Sequence, residues 1–202
     1  MGEYKQTLLR EESYNRLVSA KRLLSLLYGR RVTLSDVIDM VVGRGIGLLY
    51  LPKEMQDYVF GFARIASENK SVLGVLLFGS VAKGTYTKYS DIDVLVLVRG
   101  RAKEHLQSVH GMVQSANPLA DRLADTGIYS YITPIVLGSD ETKKFSPLYA
   151  SFVDEGITLL DRDGALGRFL SDAAKAGYTR EELAGAMVIR WKHGGRGDTK
   201  KL

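Results

Sequence analysis

Hydrophobic positions along this chain fall into helix-spaced faces and short continuous runs, and the two kinds alternate. Residues 3–9 (EYKQTLL) read as a short strand. In REESYNRLVSAKRLLSLLYG, Tyr14, Leu17, Val18, Leu24 and Leu27 share one broad face, which predicts a helix ended by Gly29. A second helix is expected from Thr33, where Thr33 and Asp36 are spaced as a capping box. Its apolar face is Leu34, Val37, Ile38 and Val41, and Gly43, Gly45 and Gly47 weaken its last turns. One strand and two helices cannot enclose much core alone. These first fifty residues should therefore dock on the rest of the chain or pair with a second copy. Pro52 marks the boundary.

Beyond it the pattern predicts a helix (PKEMQDYVFGFARIASENK), a strand (SVLGVLLF), a polar loop and a second strand (DIDVLVLV). RAKEHLQSVHGMVQSA reads as a helix that Pro118 interrupts and restarts at PLADRLAD. GIYSYITPIVLG is a third strand, SDETKKFSPLYASFVDEG one helix or two short ones, and ITLLD a short strand. DGALGRFLSDAAKAG is a further helix. Thr179 and Glu182 are spaced as a second capping box, opening a helix over TREELAGAMVIRWKHG, and the tail GGRGDTKKL is expected to be disordered. Strands alternating with helices imply an α/β domain around a mixed sheet. The expected organisation is a small helical or dimerisation module over 1–50, a main domain over 51–162, and C-terminal helices with a basic tail over 163–202.

Composition narrows the chemistry. With 45% hydrophobic residues in 202, the chain can build a core. It contains no cysteine, which excludes disulfides, thiolate zinc sites and cysteine nucleophiles. A cytoplasmic protein is expected, because nothing here needs an oxidising compartment. The N-terminus lacks the apolar stretch of a secretory leader, and no apolar run reaches the ~18–20 residues of a membrane span. The net charge of +5 is uneven. Residues 1–50 carry eight basic and five acidic residues, 51–162 twelve and thirteen, and 163–202 eight and five. Basic ends suit a polyanionic partner such as DNA, and they equally suit an ordinary solvated surface.

The chemistry concentrates in LLFGSVAKGTYTKYSDIDVLVLV, residues 76–98. Side chains on a strand alternate between faces, so Asp91 and Asp93 share one while Ile92, Val94 and Val96 take the other. Paired carboxylates repel unless a proton or a cation intervenes. Mg²⁺ is hard, prefers oxygen, and is commonly held by one or two carboxylates plus substrate phosphates. The preceding loop matches that chemistry. Gly79 permits close approach of a ligand, and Ser80 offers a hydroxyl and a backbone N–H at a helix start, where phosphate is well placed. Lys83 and Lys88 add positive charge, and Gly84 lets the loop turn back.

FGSVAKGTYTKYSDIDVLV resembles the signature of the DNA polymerase β-like nucleotidyltransferase superfamily, and is most similar to its minimal nucleotidyltransferases and antibiotic-modifying members. The resemblance covers about residues 53–162 and is carried by Gly79, Ser80, Ser90, Asp91, Ile92 and Asp93. It implies a mixed-sheet nucleotidyltransferase fold. A nucleoside triphosphate would be bound through Gly79 and Ser80, with Lys83 and Ser90 beside it. Mg²⁺ would be held by Asp91 and Asp93, which are the catalytic residues. The implied activity moves a nucleoside monophosphate, AMP from ATP as the leading case, onto an acceptor hydroxyl. Minimal nucleotidyltransferases often pair with a separate helical protein as toxin–antitoxin systems, so a toxin-type partner protein is a candidate.

Two departures from the family pattern stand out. Active members usually carry a third carboxylate on the next strand, which here is GIYSYITPIVLG and holds no acid. Ser130 and Thr133 stand in that region; Asp125 precedes it, and Asp140 and Glu141 follow. Many small relatives also carry a basic residue after Gly-Ser, where this chain has Val81, with Lys83 as the substitute. The missing acid supports an alternative: a catalytically impaired DNA-binding or antitoxin-type regulator that binds nucleotide or a partner protein.

The first fifty residues resemble ribbon-helix-helix proteins through Glu11-Glu12-Ser13-Tyr14, Leu17 and Thr33-Leu34-Ser35-Asp36-Val37-Ile38. That resemblance implies a homodimer whose paired strands enter the DNA major groove. Lys5 and Thr7 would form one strand face and Tyr4 and Gln6 the other. The alternative is a helical pair packed on the main domain without a DNA role. His105, His110 and His193 are not spaced as a metal site. Tyr86 and Tyr89 flank the loop and are read as packing residues ahead of base-stacking ones. Trp191 is expected to anchor the last helix.

Overall fold

The computed structural model describes residues 51–143, 146–183, 186–191 and 198–201, together with residues 14, 15, 17–19, 21, 22, 25, 31–34, 37 and 48. The elements run α1 (Lys53–Glu68), β1 (Val72–Leu77), α2 (Gly79–Lys83), β2 (Ile92–Val98), α3 (Leu106–Ala124), β3 (Ile132–Gly138), α4 (Leu148–Glu155), β4 (Ile157–Asp161) and α5 (Ala165–Lys175). Three strands follow: β5 (Tyr178–Leu183), β6 (Ala186–Trp191) and β7 (Asp198–Lys201). The main sheet has the order β3-β2-β1-β4. β1 is antiparallel to β2 and β4, and β2 is parallel to β3, so the sheet is mixed as expected.

The uninterrupted apolar runs of β1 and β2 reflect burial on both faces. From β2, Ile92, Val94, Val96 and Val98 join a cluster with Met55, Tyr58, Val59 and Phe62 of α1 and Val109, Met112 and Ala116 of α3. Leu95 and Leu97 face the other way, into a cluster with Tyr149 and Phe152 of α4 and Leu166 and Phe169 of α5. The sheet is thus a central layer with a helix pair on each face. Burial pushes the Tyr58 phenol above its ordinary range, and its oxygen accepts the Ile132 N–H at 3.2 Å, tying α1 to the start of β3.

The N-terminal residues described contribute to the same interior. Leu17, Val32 and Val37 are buried in the α1/α3 cluster, with Leu34 and Leu48 packed against it. Tyr14, placed on the apolar face by its spacing, is exposed instead. The expected strand over 3–9, the Thr33/Asp36 capping box as a pair and the glycine-rich stretch after Val41 lie outside the described residues.

Three expectations are corrected. Pro118 does not divide its helix: α3 is continuous from Leu106 to Ala124. An interior proline costs about 3 kcal/mol. Burial of Val109, Met112, Ala116, Ala120 and Leu123 at helical spacing opposes that cost, since a fully buried large apolar side chain contributes about 1.5–3 kcal/mol. Residues 178–183 and 186–191 form two antiparallel strands rather than a helix, with Leu183 paired to Ala186. Thr179 and Glu182 therefore sit within β5 and cap nothing. The local cue was the β-branched pair Val188-Ile189 before Trp191, together with glycine at position 185 between the strands. The tail is likewise ordered over 198–201, where β7 pairs with β6.

Phe152 is fully buried, and its ring meets Phe78 edge-on with centroids 4.8 Å apart, directly below the Gly-Ser turn. Phe152→Ala should lower stability by about 3–5 kcal/mol in urea unfolding. A loss below about 1 kcal/mol would show that α4 does not close this face of the sheet.

Candidate functional site

Antiparallel pairing of β1 with β2 brings the end of one strand beside the start of the other. Leu77 opposes Val94, and the Phe78 N–H donates to the Asp93 carbonyl at 3.0 Å. Gly79 is therefore delivered against the Asp93 side chain. Its φ is +75°, and a Cβ there would run into Asp93 Oδ2 and lie 3.2 Å from Cγ. Any other L-residue would be strained in conformation and would displace the carboxylate. From Gly79 the chain turns into α2, whose Val81 and Ala82 are buried. Gly84 closes it in the left-handed region, and the Ser80 carbonyl accepts the Thr85 N–H at 3.0 Å.

The two aspartates differ in environment. Asp91 is exposed and Asp93 half-buried. Burial first, and the Asp91 charge second, push the Asp93 carboxyl above the usual carboxylate range. The side chain lies on the α4/α5 face with Leu95 and Leu97, and is prised from water by that packing. Such a pair suits a hard divalent cation: two oxygen donors of like charge, one partly desolvated, with repulsion a cation would relieve.

The other predicted residues are placed as follows. Ser80 is half-buried at the start of α2. Lys83, at the end of α2, forms an ion pair with the partly buried Glu155 of α4 at 3.5 Å. Ser90 braces the loop: its Oγ accepts the Thr87 N–H at 2.8 Å, and its own N–H donates to the Thr87 carbonyl. Val81 is fully buried, so a basic residue there would have to bury its charge. Tyr86 packs partly into the core, as expected, whereas Tyr89 is exposed. The His105 Nε2–H donates to the Arg99 carbonyl, 2.8 Å away, and takes no part in the site. Trp191 anchors no helix: it lies in β6, paired with Tyr178, and its side chain, like His193, lies outside the described residues.

The strand register settles what stands where a third acid was sought. Asp93 pairs with Thr133 across β2 and β3, so the exposed Thr133 is its lateral neighbour. Ser130 is buried, and its Oγ has no partner among the described residues. Acids elsewhere in the domain are engaged in other contacts. Glu141 accepts from the Gly138 and Ala102 N–H groups, Asp154 from the Tyr178 hydroxyl, and Asp161 from the Leu166 and Gly167 N–H groups. No group of three His, Cys, Asp or Glu capable of holding a metal occurs among the described residues.

Residues 61–147 match the family model of the nucleotidyltransferase domain. This segment is similar to a nucleotidyltransferase domain. It runs from the second half of α1 through β3 and so contains the Gly-Ser turn and both aspartates. Solved structures with similarity include a toxin–antitoxin crystallised with AMP-PNP, at 19% identity over 61% of this chain and 86% of that chain, TM-score 0.39. Two variant forms of the MntA–HpeT toxin–antitoxin follow. One has 20% identity over 57% of this chain and 81% of that chain, TM-score 0.36; the other has 18% identity over 61% and 86%, TM-score 0.39. No curated protein matches the chain. No helix among the described residues is long and apolar enough to cross a membrane.

Two features of the site were missed in the sequence. Glu155 as the partner of Lys83 lies 72 residues away and carries no local signal. The exposure of Tyr129 and Tyr131 was visible only as an alternation in IYSYIT.

Because the folded protein holds a proton on Asp93 more tightly than the unfolded chain does, this residue lowers stability as pH rises through its raised titration range. Asp93→Asn should therefore melt above wild type at pH 7 in EDTA. The difference should vanish below the ordinary carboxylate range, near pH 3 or so. Thermal unfolding across pH reads this directly, and a variant melting below wild type at pH 7 would contradict the placement of Asp93.

Proposed function

We propose that this protein is a Mg²⁺-dependent nucleotidyltransferase that moves a nucleoside monophosphate, AMP from ATP as the leading case, onto an acceptor hydroxyl. The observation that carries this reading is the close seating of Gly79 on Asp93. It holds the Gly-Ser turn directly against the carboxylate pair, within the segment that matches the nucleotidyltransferase domain model. Asp91 and Asp93 would hold the cation, which when bound neutralises charge on the α-phosphate and orients the leaving pyrophosphate. Gly79 gives the triphosphate access, and the Ser80 hydroxyl and N–H donate to it. Ser90 fixes the loop that presents Asp91. Lys83 reaches the phosphates only by leaving Glu155, so its role is a competition between two anions. The proposed organisation keeps 51–162 as the transfer domain, 1–50 as an accessory unit that supports a homodimer, and 163–202 as a basic extension, in a cytoplasmic protein.

Thr133 beside Asp93 favours a second reading, in which nucleotide and metal bind without transfer and the protein acts as a DNA-binding or antitoxin-type regulator with a toxin-type partner. A hydroxyl at that position does not remove a proton from an acceptor as a carboxylate does. The two readings part on one measurement. Incubation with labelled ATP and Mg²⁺ should release pyrophosphate, and Asp91→Asn with Asp93→Asn should reduce the release at least 100-fold while leaving the fold intact. Nucleotide binding without release would favour the regulator. Its DNA arm would then appear as a gel shift that weakens steeply with salt.

A paired substitution tests that close seating. Gly79 and Gly84 both have positive φ, but a Cβ at Gly84 meets nothing within 4 Å. Both alanine variants should lose about 1–3 kcal/mol of stability from backbone strain. Only Gly79→Ala should also lose Mn²⁺–ATP binding, followed by calorimetry. Equal binding by the two variants would remove Gly79 from the site.

A further inference from the structure

Across β2 from the Gly-Ser turn lies a surface that the reading above does not use. The strand order places β1 and α2 on one flank of β2 and β3 on the other. On the β3 flank, Tyr89, Tyr129 and Tyr131 are 64%, 49% and 55% exposed, whereas Tyr58 and Tyr149 are core residues. The Tyr89 and Tyr129 rings are nearly parallel, at 17°, with centroids 6.0 Å apart. Lys88 Nζ lies 5.0 Å from the Tyr89 centroid. Both segments are tied down by backbone. The Tyr129 N–H donates to the Lys88 carbonyl at 2.7 Å, and the Ile92 N–H to the Tyr131 carbonyl at 2.9 Å. Those bonds fix the loop before β2 to the approach to β3, one residue from Asp91.

Exposed rings on anchored backbone give up hydrophobic stabilisation unless something covers them. Aligned ring faces beside an ammonium group suit a planar base followed by a phosphate, the pairing by which single-stranded nucleic acids are held. The position is apt as well. A triphosphate entering over Gly79 comes from the β1 side, which leaves the β3 side for the acceptor.

We propose that Lys88, Tyr89 and Tyr129 form a stacking platform for the 3′-terminal nucleotides of a single-stranded nucleic acid, whose 3′-hydroxyl is the acceptor; this rests on the nucleotidyl-transfer reading. The 3′-oxygen forms a bond to the α-phosphorus as the bond from that phosphorus to the α,β-bridging oxygen breaks. Pyrophosphate leaves with the electron pair, and the hydroxyl proton passes to water. The product is the strand longer by one nucleotide.

The test uses the full chain and a fluorescein-labelled single-stranded RNA of about ten nucleotides, a length within the reach of such sites. Without nucleotide, anisotropy should show binding that Tyr89→Ala and Tyr129→Ala each weaken about tenfold. Tyr89→Phe and Tyr129→Phe should bind as wild type, because stacking needs the ring and not the hydroxyl. With α-labelled ATP and Mg²⁺, label should move to the free 3′-end, and a 3′-deoxy strand should bind without being extended. No binding, or binding indifferent to the alanine changes, would overturn the platform. Binding without extension, or label transferred to protein instead, would overturn the acceptor assignment. Pyrophosphate release that needs Asp91 and Asp93 but ignores the strand would sink this proposal alone, whereas absence of any release with any acceptor would sink the transfer reading beneath it.

Discussion

The contact between the Asp93 carboxylate and the Cα of Gly79 is the constraint around which the domain is arranged. It exists because β1 runs antiparallel to β2, so that the chain leaves one strand where it enters the other. It persists because the Phe78 N–H is committed to the Asp93 carbonyl. Glycine is required for two independent reasons, the positive φ and the absence of room for a Cβ. Moving the turn outward to admit a side chain would break the hydrogen bond that registers it.

A half-buried carboxylate with an acid beside it is unfavourable in isolation, and the surrounding layers supply what offsets it. The Asp93 face of β2 continues into Leu95 and Leu97, then into the aromatic cluster of Tyr149, Phe152 and Phe169. The opposite face, from Ile92 to Val98, sits in the larger cluster with α1 and α3. Each buried apolar side chain contributes about 1.5–3 kcal/mol, and two such layers hold the strand ends whatever the charge at their head prefers. The domain is thereby able to store unfavourable electrostatics at one point, which is the property a cation-binding site needs.

Much of this was legible in the chain because it rests on local pattern. The two-residue alternation of DIDVLVLV separates acids from valines without reference to any partner, and the Gly-Ser turn announces itself between two apolar strands. What escaped depends on distant pairing. Residues 178–183 have a helix-like acidic start, yet they pair with 186–191 as strands, because strand preference is decided by the neighbour a segment finds. Pro118 is tolerated since the helix carrying it is held by its buried face rather than by its own hydrogen bonds. The Lys83–Glu155 pair joins elements separated by β2, α3 and β3, and no spacing rule reaches that far.

Thr133 has the greatest bearing on chemistry. The parallel register fixes it beside Asp93, so the absence of an acid there is a property of the site and not of a misaligned strand. On the proposed reading, the acceptor must lose its proton without a carboxylate in contact. That is easiest late in the reaction, when the new bond to phosphorus has already made the hydroxyl acidic. Such a mechanism depends on holding the acceptor still for longer than a strong base would require, because orientation has to supply what proton abstraction does not. An anchored aromatic surface on the flank nearest Thr133 is the kind of feature that constraint would favour, and on the proposed reading it would make acceptor binding, rather than proton removal, the step on which turnover depends.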